Sequence, residues 1–480
     1  MSALDDTICA VATPSGEGGV GIVRVSGAHA LPIASQVVRL RGATPLSDLT
    51  SHQMYLGKFL WDHFSTSDQV KQGTATVLDE VLVVVMRTPR SYTGEDVVEI
   101  QGHGGPLIVQ AICEALTQAG ARMAEPGEFT KRAFLNGRLD LTQAEAVLDT
   151  IQAKSLHSLK LAQEHLQGGL SGVIKGHRDT LVKLLAHVEA GMDFGEEDIQ
   201  FIEQLELKDK IRKMVEAIEQ LIASAQEGRI IREGIRTVIL GRPNVGKSSL
   251  LNVILNVNRA IVSQIPGTTR DVLEEAVMVE GVMIRLFDTA GLRETTDEIE
   301  QEGMTRAEEA IKQADVLIMM FDQSQPLTPK DLGFITSYKH QPRVMILNKH
   351  DLPPRFSLDD FQKIVKENDS KDEYETAYVQ VSAVTGEGID QLKRKLKKLA
   401  LGHRHEAGDS VLVSRLRHKV LLQQAAGALH NALAAIDETQ SAECVALELR
   451  VALQALGEIV GIVTNEDILD QIFREFCIGK

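Results

Sequence analysis

Gly241-Arg242-Pro243-Asn244-Val245-Gly246-Lys247-Ser248 stands between a β-branched run, Thr237 to Leu240, and a helical pattern beginning at Ser248 (SSLLNVIL). A buried strand, a glycine-containing loop and a helix in that order make a phosphate cradle. Gly241 and Gly246 let backbone N–H groups close around a β-phosphate, Lys247 reaches the β/γ oxygens, and the Ser248 hydroxyl is suited to ligate Mg2+. Strand and helix alternation then runs from Ile235 to about Leu401, the length and element order of a doubly wound nucleotide domain.

A phosphate loop alone specifies only nucleotide phosphates. The base is specified by Asn348-Lys349-His350-Asp351, which follows the apolar run Val344 to Leu347. A carboxylate at Asp351 accepts from the guanine N1–H and exocyclic amine, a donor pair that adenine lacks, so ATP would leave buried polar groups unpaired. Ser382-Ala383, after the strand pattern Ala377 to Val381, would offer a backbone N–H to the guanine oxygen. Asp288 and Gly291 of DTAG end the run Val282 to Phe287, placed to hold Mg2+ through water and to sense a γ-phosphate. With Pro266-Gly267-Thr268-Thr269-Arg270-Asp271 between them, the motifs occur in the order of a guanine-nucleotide switch.

The residue after DTAG is Leu292, where Ras-like enzymes carry a water-orienting Gln, and an apolar side chain cannot orient water. Arg293, Glu294, Glu298 and Glu300 are nearby candidates, and spacing does not choose among them. Asn244, two residues before Gly246, could hold a monovalent cation against the phosphates and offset transition-state charge as an arginine would; an Asn chosen for loop conformation is the alternative.

The chain has 480 residues, too many for one hydrophobic core. Its first segment, to about Arg122, carries short β-branched runs (Gly21 to Val25, Val81 to Met86, Asp96 to Ile100) and reads as α+β. Leu139 to Gly228 shows long helical periodicity, which returns after Gly402 to Asp409. Either flank alone would struggle to bury its apolar faces, so the nucleotide module reads as an insertion in one helical domain. The expected domains are 1–122, 123–233 with 402–480, and 234–401. A composition of 43% hydrophobic and 25% charged residues is that of a soluble globular protein. No secretory signal, membrane span, CxxC pair or disulfide-dense framework is found, which predicts a reduced, cytoplasmic setting. A net charge of −16 argues against general affinity for polyanions. His103 reads as a structural histidine in a glycine-rich turn, and Lys393 to Lys398 as a basic solvated face.

The chain resembles the MnmE (TrmE) tRNA-modification GTPases from end to end. The resemblance is carried by ATPSGEGGVGIVRVSG (Ala12 to Gly27), SYTGEDVVEIQGHGGP (Ser91 to Pro106), EPGEFTKRAFLNGRLDLTQAEAV (Glu125 to Val147), the PGTTRD loop and FCIGK (Phe476 to Lys480). It implies an N-terminal folate-binding domain that forms a homodimer, a discontinuous helical domain and an inserted Ras-like P-loop GTPase domain. It also implies a partnership with the flavoprotein MnmG, which carries the FAD. Together they install an aminomethyl-type (carboxymethylaminomethyl) group on C5 of the tRNA wobble uridine, with the one-carbon unit from 5-formyl-tetrahydrofolate or another tetrahydrofolate derivative.

Carried over position by position, the GTP-binding set is Asn244, Val245, Gly246, Lys247, Ser248 and Ser249; Ser263, Gln264, Ile265, Pro266, Gly267, Thr268 and Thr269; Asp288, Thr289, Ala290 and Gly291; Asn348, Lys349 and Asp351; and Ser382, Ala383 and Val384. The resemblance implies potassium ligands at Asn244, Ser263, Ile265 and Thr268, Mg2+ ligands at Ser248 and Thr269, and Glu300 as the water-orienting group. It places folate contacts on Arg24, Glu99, Arg138 and Lys480, in keeping with a carboxylate for the pterin edge and cations for a glutamate tail. Cys477 is implied in modification, although a near-terminal thiol is more often inert. A ribosome-assembly GTPase without one-carbon chemistry, and a folate-dependent transferase merely regulated by GTP, are the competing readings.

Overall fold

The computed structural model of the chain describes residues 6–42, 44–61, 76–193, 204–257, 274–279, 281–288, 308–368, 376–401, 411–463 and 465–480. The chain packs as two compact units, one of Met1–Leu148, Leu166–Lys175 and Gly457–Lys480, the other of Asp149–His165 and Gly176–Leu456. Among the described residues no helix is long and apolar enough to cross a membrane.

In the first unit, strands β1 (Ile8–Val11), β2 (Gly18–Ser26), β3 (Val38–Leu40), β4 (Met54–Leu60), β5 (Val77–Met86), β6 (Val97–Gly104) and β7 (Arg122–Met123) form one sheet in the order β3-β4-β5-β6-β2-β1-β7. Its two faces follow from period-2 alternation. Val23, Val25, Val81, Val83, Val85, Val98 and Ile100 point into a core shared with Ala30–Val37 and Pro106–Gln118, the two helices that follow β2 and β6. Arg24 and Glu99 fall on the opposite face as direct register partners. There Ile8 and Ala10 of β1 pack with Phe129 of the helix Glu128–Leu135.

The chain end closes this unit. Leu469, Phe473 and Phe476 pack with Leu141, Ala144 and Leu148 of the helix Leu141–Gln152. Gly127 and Gly479 have φ of 70° and 94°, and a Cβ at either would lie 2.6 Å from Phe473 O or 2.1 Å from Val11 O. Only glycine lets the chain end lie this close to β1.

The second unit contains a six-stranded sheet of β8 (Ile235–Gly241), β9 (Glu274–Val279), β10 (Val282–Asp288), β11 (Val316–Asp322), β12 (Arg343–Asn348) and β13 (Thr376–Gln380), in the order β13-β12-β11-β8-β10-β9. β9 is antiparallel to β10, and the other pairs are parallel. β11 is buried at every position, the mark of a strand covered on both faces. The expected strands at Thr237 to Leu240, Val282 to Phe287, Val344 to Leu347 and Ala377 to Val381 lie at β8, β10, β12 and β13. Residues 308–313, ahead of β11, are helical.

The helical part of this unit is built on Gln204–Glu233 and Leu416–Asp437, which pack along each other. Between them residues 411–415 cross the first helix at Gly228, where a Cβ would lie 2.2 Å from Val413 O. Ser224 Oγ accepts the Val413 N–H at 3.1 Å, and Arg232 donates to Ser414 O at 3.1 Å. Asp149, nearly buried, takes Arg415 Nη2 at 2.7 Å and Arg232 Nε at 3.2 Å. The basic run at Lys393 to Lys398 is not wholly solvated, because Lys393 is buried, as are Leu392 and Leu396 of the same helix, Ile389–Leu401.

Candidate functional sites

The phosphate loop leaves β8 at the middle of the second sheet, between β10 and β11. In an open α/β sheet the crevice beyond the strand ends, where strand order reverses, is where ligands sit. Gly241, Asn244 and Gly246 have φ of 155°, 64° and 100°. A Cβ at Gly246 would meet Asn348 Nδ2 at 2.3 Å, so this glycine is required by closeness of packing as well as by conformation. Lys247 starts the helix Lys247–Val257, and its ammonium donates to Gly241 O at 2.9 Å and Arg242 O at 3.0 Å. The cation thus sits across the loop that would wrap the phosphates. Val245 is buried, whereas Asn244, Ser248 and Ser249 are exposed.

Asn348 joins the nucleotide motifs. It is 1% exposed, its Nδ2 donates to Val245 O at 2.7 Å, and its Oδ1 accepts the Ala383 N–H at 3.1 Å. One side chain therefore fastens the phosphate loop and the segment after β13 to the end of β12. Asp351 Oδ1 accepts the Ser382 hydroxyl at 2.6 Å, and Ser382 Oγ accepts from Val384 N at 3.3 Å and Thr385 N at 3.1 Å. The Asp351 carboxylate is thereby aimed by a fully buried serine. Of the two N–H groups of Ser382-Ala383, one of which is expected to face a guanine oxygen, that of Ala383 is engaged by Asn348 and that of Ser382 by Glu387 O at 3.1 Å, so a base oxygen would share one of them. Asp288 ends β10 opposite Ile239 of β8, beside the phosphate loop. Ser263, Gln264, Ile265, Pro266, Gly267, Thr268, Thr269, Thr289, Ala290, Gly291, Leu292 and Glu300 lie outside the described residues.

One member of this site escaped sequence reading. Asp322, the polar end of the apolar strand VLIMMFD, receives Lys349 Nζ at 2.6 Å. Burial opposes its ionisation, but the hydrogen bonds from Lys349 and Ser324 outweigh burial and hold its carboxyl below the usual carboxylate range. An acidic residue closing an otherwise apolar strand was the signal available.

The second cluster lies wholly in the first unit. Glu99 Oε1 accepts Arg24 Nη2 at 2.8 Å and Nε at 2.9 Å. Arg24 Nη1 is buried and has no hydrogen-bond partner among the described residues, a donor left over for an acceptor. The Arg24 guanidinium lies 5.3 Å from the Tyr92 ring centre and 5.7 Å from that of Phe129, and Arg138 lies 5.4 Å from Tyr92. Tyr92, anchored by its hydroxyl to Thr130 at 2.8 Å, thus spaces the two cations. Sequence reading missed it, although it stands in the quoted SYTGED stretch. Lys480 is half-buried; burial, and then the neighbouring Arg24, push its pKa down, and Glu99 and Cys477 oppose this only in part. Arg24 and Arg138 therefore meet at Tyr92, Glu99 pairs with Arg24, and Lys480 of the folded-back chain end lies within electrostatic range of Arg24 and Glu99. Cys477 is exposed, and its carbonyl accepts the Gly127 N–H at 3.4 Å. His103 is exposed and tied to Asp79, whose Oδ1 contacts its Nδ1 at 2.7 Å.

The family model described as the GTP-binding protein TrmE N-terminus matches residues 7–138, and the one described as the MnmE helical domain matches residues 141–477. Curated relatives called "tRNA modification GTPase MnmE" match over nearly the whole chain. The Geobacillus kaustophilus protein is 43% identical over 99% of each chain. Those of Moorella thermoacetica and Clostridioides difficile are 44% and 40% identical over 99% of this chain and 100% of their own. Two family models in tandem and whole-length identities of 40% to 44% place the chain in the MnmE (TrmE) family of tRNA modification GTPases.

Proposed function

We propose that this protein is a potassium-dependent GTPase that acts in tRNA wobble-uridine modification. With an MnmG-type flavoprotein it would add an aminomethyl-type group at C5, drawing the one-carbon unit from a tetrahydrofolate derivative. The observation that carries the GTPase part is the Asn348 side chain, which ties the phosphate loop to both guanine-reading segments.

The chemistry of the donor sets fits the groups invoked. Asn244 presents an exposed amide in a left-handed loop position, and Ser248 an exposed hydroxyl at the first helical turn. These would hold a monovalent cation and Mg2+ respectively, which supply positive charge against the phosphates when bound. Lys247 would orient the phosphates, Asp351 the base, and Glu300 the attacking water. At the other cluster the unpartnered Arg24 Nη1 and the cations of Arg138 and Lys480 suit a carboxylate-bearing ligand, and Glu99 suits the amide-like edge of a pterin. A homodimer through the N-terminal domain and a cytoplasmic location complete the reading.

The test is the modified wobble uridine in tRNA from cells lacking the protein, with complementation by wild type and by Arg24→Ala. Loss restored only by wild type is expected, and undiminished modification in the deletion strain would overturn the assignment. In vitro, turnover should be clearly faster in potassium than in sodium, and Asn244→Ala should abolish the difference. Equal rates in the two salts would remove the cation from the mechanism.

A further inference from the structure

Asp322 ends β11, one strand removed from the phosphate loop, and none of the roles assigned above belongs to it. Its side chain is 3% exposed. Oδ1 accepts from the Ser324 N–H at 3.0 Å and the Ser324 hydroxyl at 2.6 Å, so the carboxylate is fixed to its own turn. Oδ2 crosses to the next loop and accepts Lys349 Nζ at 2.6 Å. A part-buried, charge-assisted bond of this length is a strong local restraint. The residue it restrains has φ of 65°, the left-handed region that side chains other than glycine seldom occupy.

The surroundings make that conformation matter. Asp322 and Asn348 are register partners, and Asn348 O accepts the Gln323 N–H at 3.0 Å. Just before Lys349, the Asn348 side chain reaches Val245 and Ala383; just after it, Asp351 meets Ser382. The left-handed step lies between these two sets of bonds.

We infer that Asp322 is a positioning residue for guanine recognition: by holding the Lys349 ammonium it keeps the left-handed step in place and so sets Asn348 and Asp351 where the base is read. The inference rests on reading Asn348 to Asp351 as the guanine-reading loop. Asp322 touches no reacting atom, and its effect falls on affinity.

The test uses the full-length protein, with equilibrium binding of a fluorescent GDP and steady-state GTP hydrolysis. Asp322→Asn should weaken binding about tenfold, the loss expected for a hydrogen bond between charged groups, while kcat at saturating GTP stays within about twofold. Lys349→Met should weaken binding, and the double variant should be no weaker than the weaker single one, because both changes remove one interaction. Unchanged affinity in Asp322→Asn, additive losses, or a fall in kcat at unchanged affinity would each overturn the inference. Should Asp322→Asn fail to fold, Lys349→Arg keeps a cation for the carboxylate and should recover most of the affinity that Lys349→Met loses; no recovery would also overturn it. Asp351→Asn is measured alongside. If that variant keeps its preference for GTP over xanthosine triphosphate, the base-reading premise fails; if the preference inverts while Asp322→Asn binds normally, only the brace fails.

Discussion

At the scale of single residues, the nucleotide site depends on polar side chains that other segments of the chain hold in place. Asp351 is oriented by Ser382, and Asn348 is held by Val245 and Ala383. Because a site built for donors rejects a ligand that lacks them, Asp351→Asn should weaken GTP binding and improve relative affinity for xanthosine triphosphate, whose edge carries an oxygen where guanine carries an amine. Competition binding with the two nucleotides reads this inversion directly. The identities of these residues were legible in the sequence, since NKHD and SAV follow apolar strands. Asp322 and Tyr92 were not, because each acts by holding a residue that is remote in sequence, and only packing shows whom a side chain holds.

At the scale of elements, close backbone approach decides the sign of ordinary substitutions. Glycine inside an exposed helix costs about 1 kcal/mol relative to alanine, so Gly228→Ala would normally stabilise the helix Gln204–Glu233. Here the new Cβ would lie 2.2 Å from Val413 O, a backbone atom. Overpacking of about 1–3 kcal/mol should win, lowering Tm by a few degrees in thermal unfolding followed by circular dichroism. His165 gives the same unit a pH dependence. Its Nε2–H donates to Leu412 O at 2.8 Å, and burial, only partly opposed by that carbonyl, pushes its pKa below the ordinary 6.5. The unfolded chain therefore binds more protons on acidification, so stability is intact above about pH 6.5 and falls as pH drops below it. His165→Gln should flatten the decline of Tm between about pH 7 and about pH 5, without abolishing it because His177 is shifted down by burial too. An unchanged slope would show that the proton is taken up elsewhere.

At the scale of the whole molecule, the chain combines a nucleotide switch with a separate cluster of cations closed by its own C-terminus. If the switch drives modification, turnover and not mere nucleotide binding is what the chemistry requires. Modification by wild type supplied with a non-hydrolysable GTP analogue, and by Glu300→Ala supplied with GTP, should then be lost together in the presence of the flavoprotein. Folate binding should survive in both, and GTP affinity in Glu300→Ala should stay near normal while turnover falls by about 10² to 10⁴. Full modification with the analogue would defeat the coupling. Retained turnover in Glu300→Ala would remove Glu300 from the water-orienting role.

The sequence by itself determined the guanine-nucleotide switch and its order of strands, because each motif is local: a loop of fixed length at the end of an apolar strand. Hydrophobic periodicity likewise carried the α+β start and the helical flanks. What only the tertiary structure decided is which distant side chains share a site. Lys480 feels the charges of Arg24 and Glu99 because Gly479 permits close approach to β1, Arg138 joins Arg24 across Tyr92, and Lys349 stands in its left-handed step beside a carboxylate from a neighbouring strand. Such meetings follow from sheet register and backbone approach, which arise from the summed packing of the fold and leave no mark in the spacing of residues along the chain.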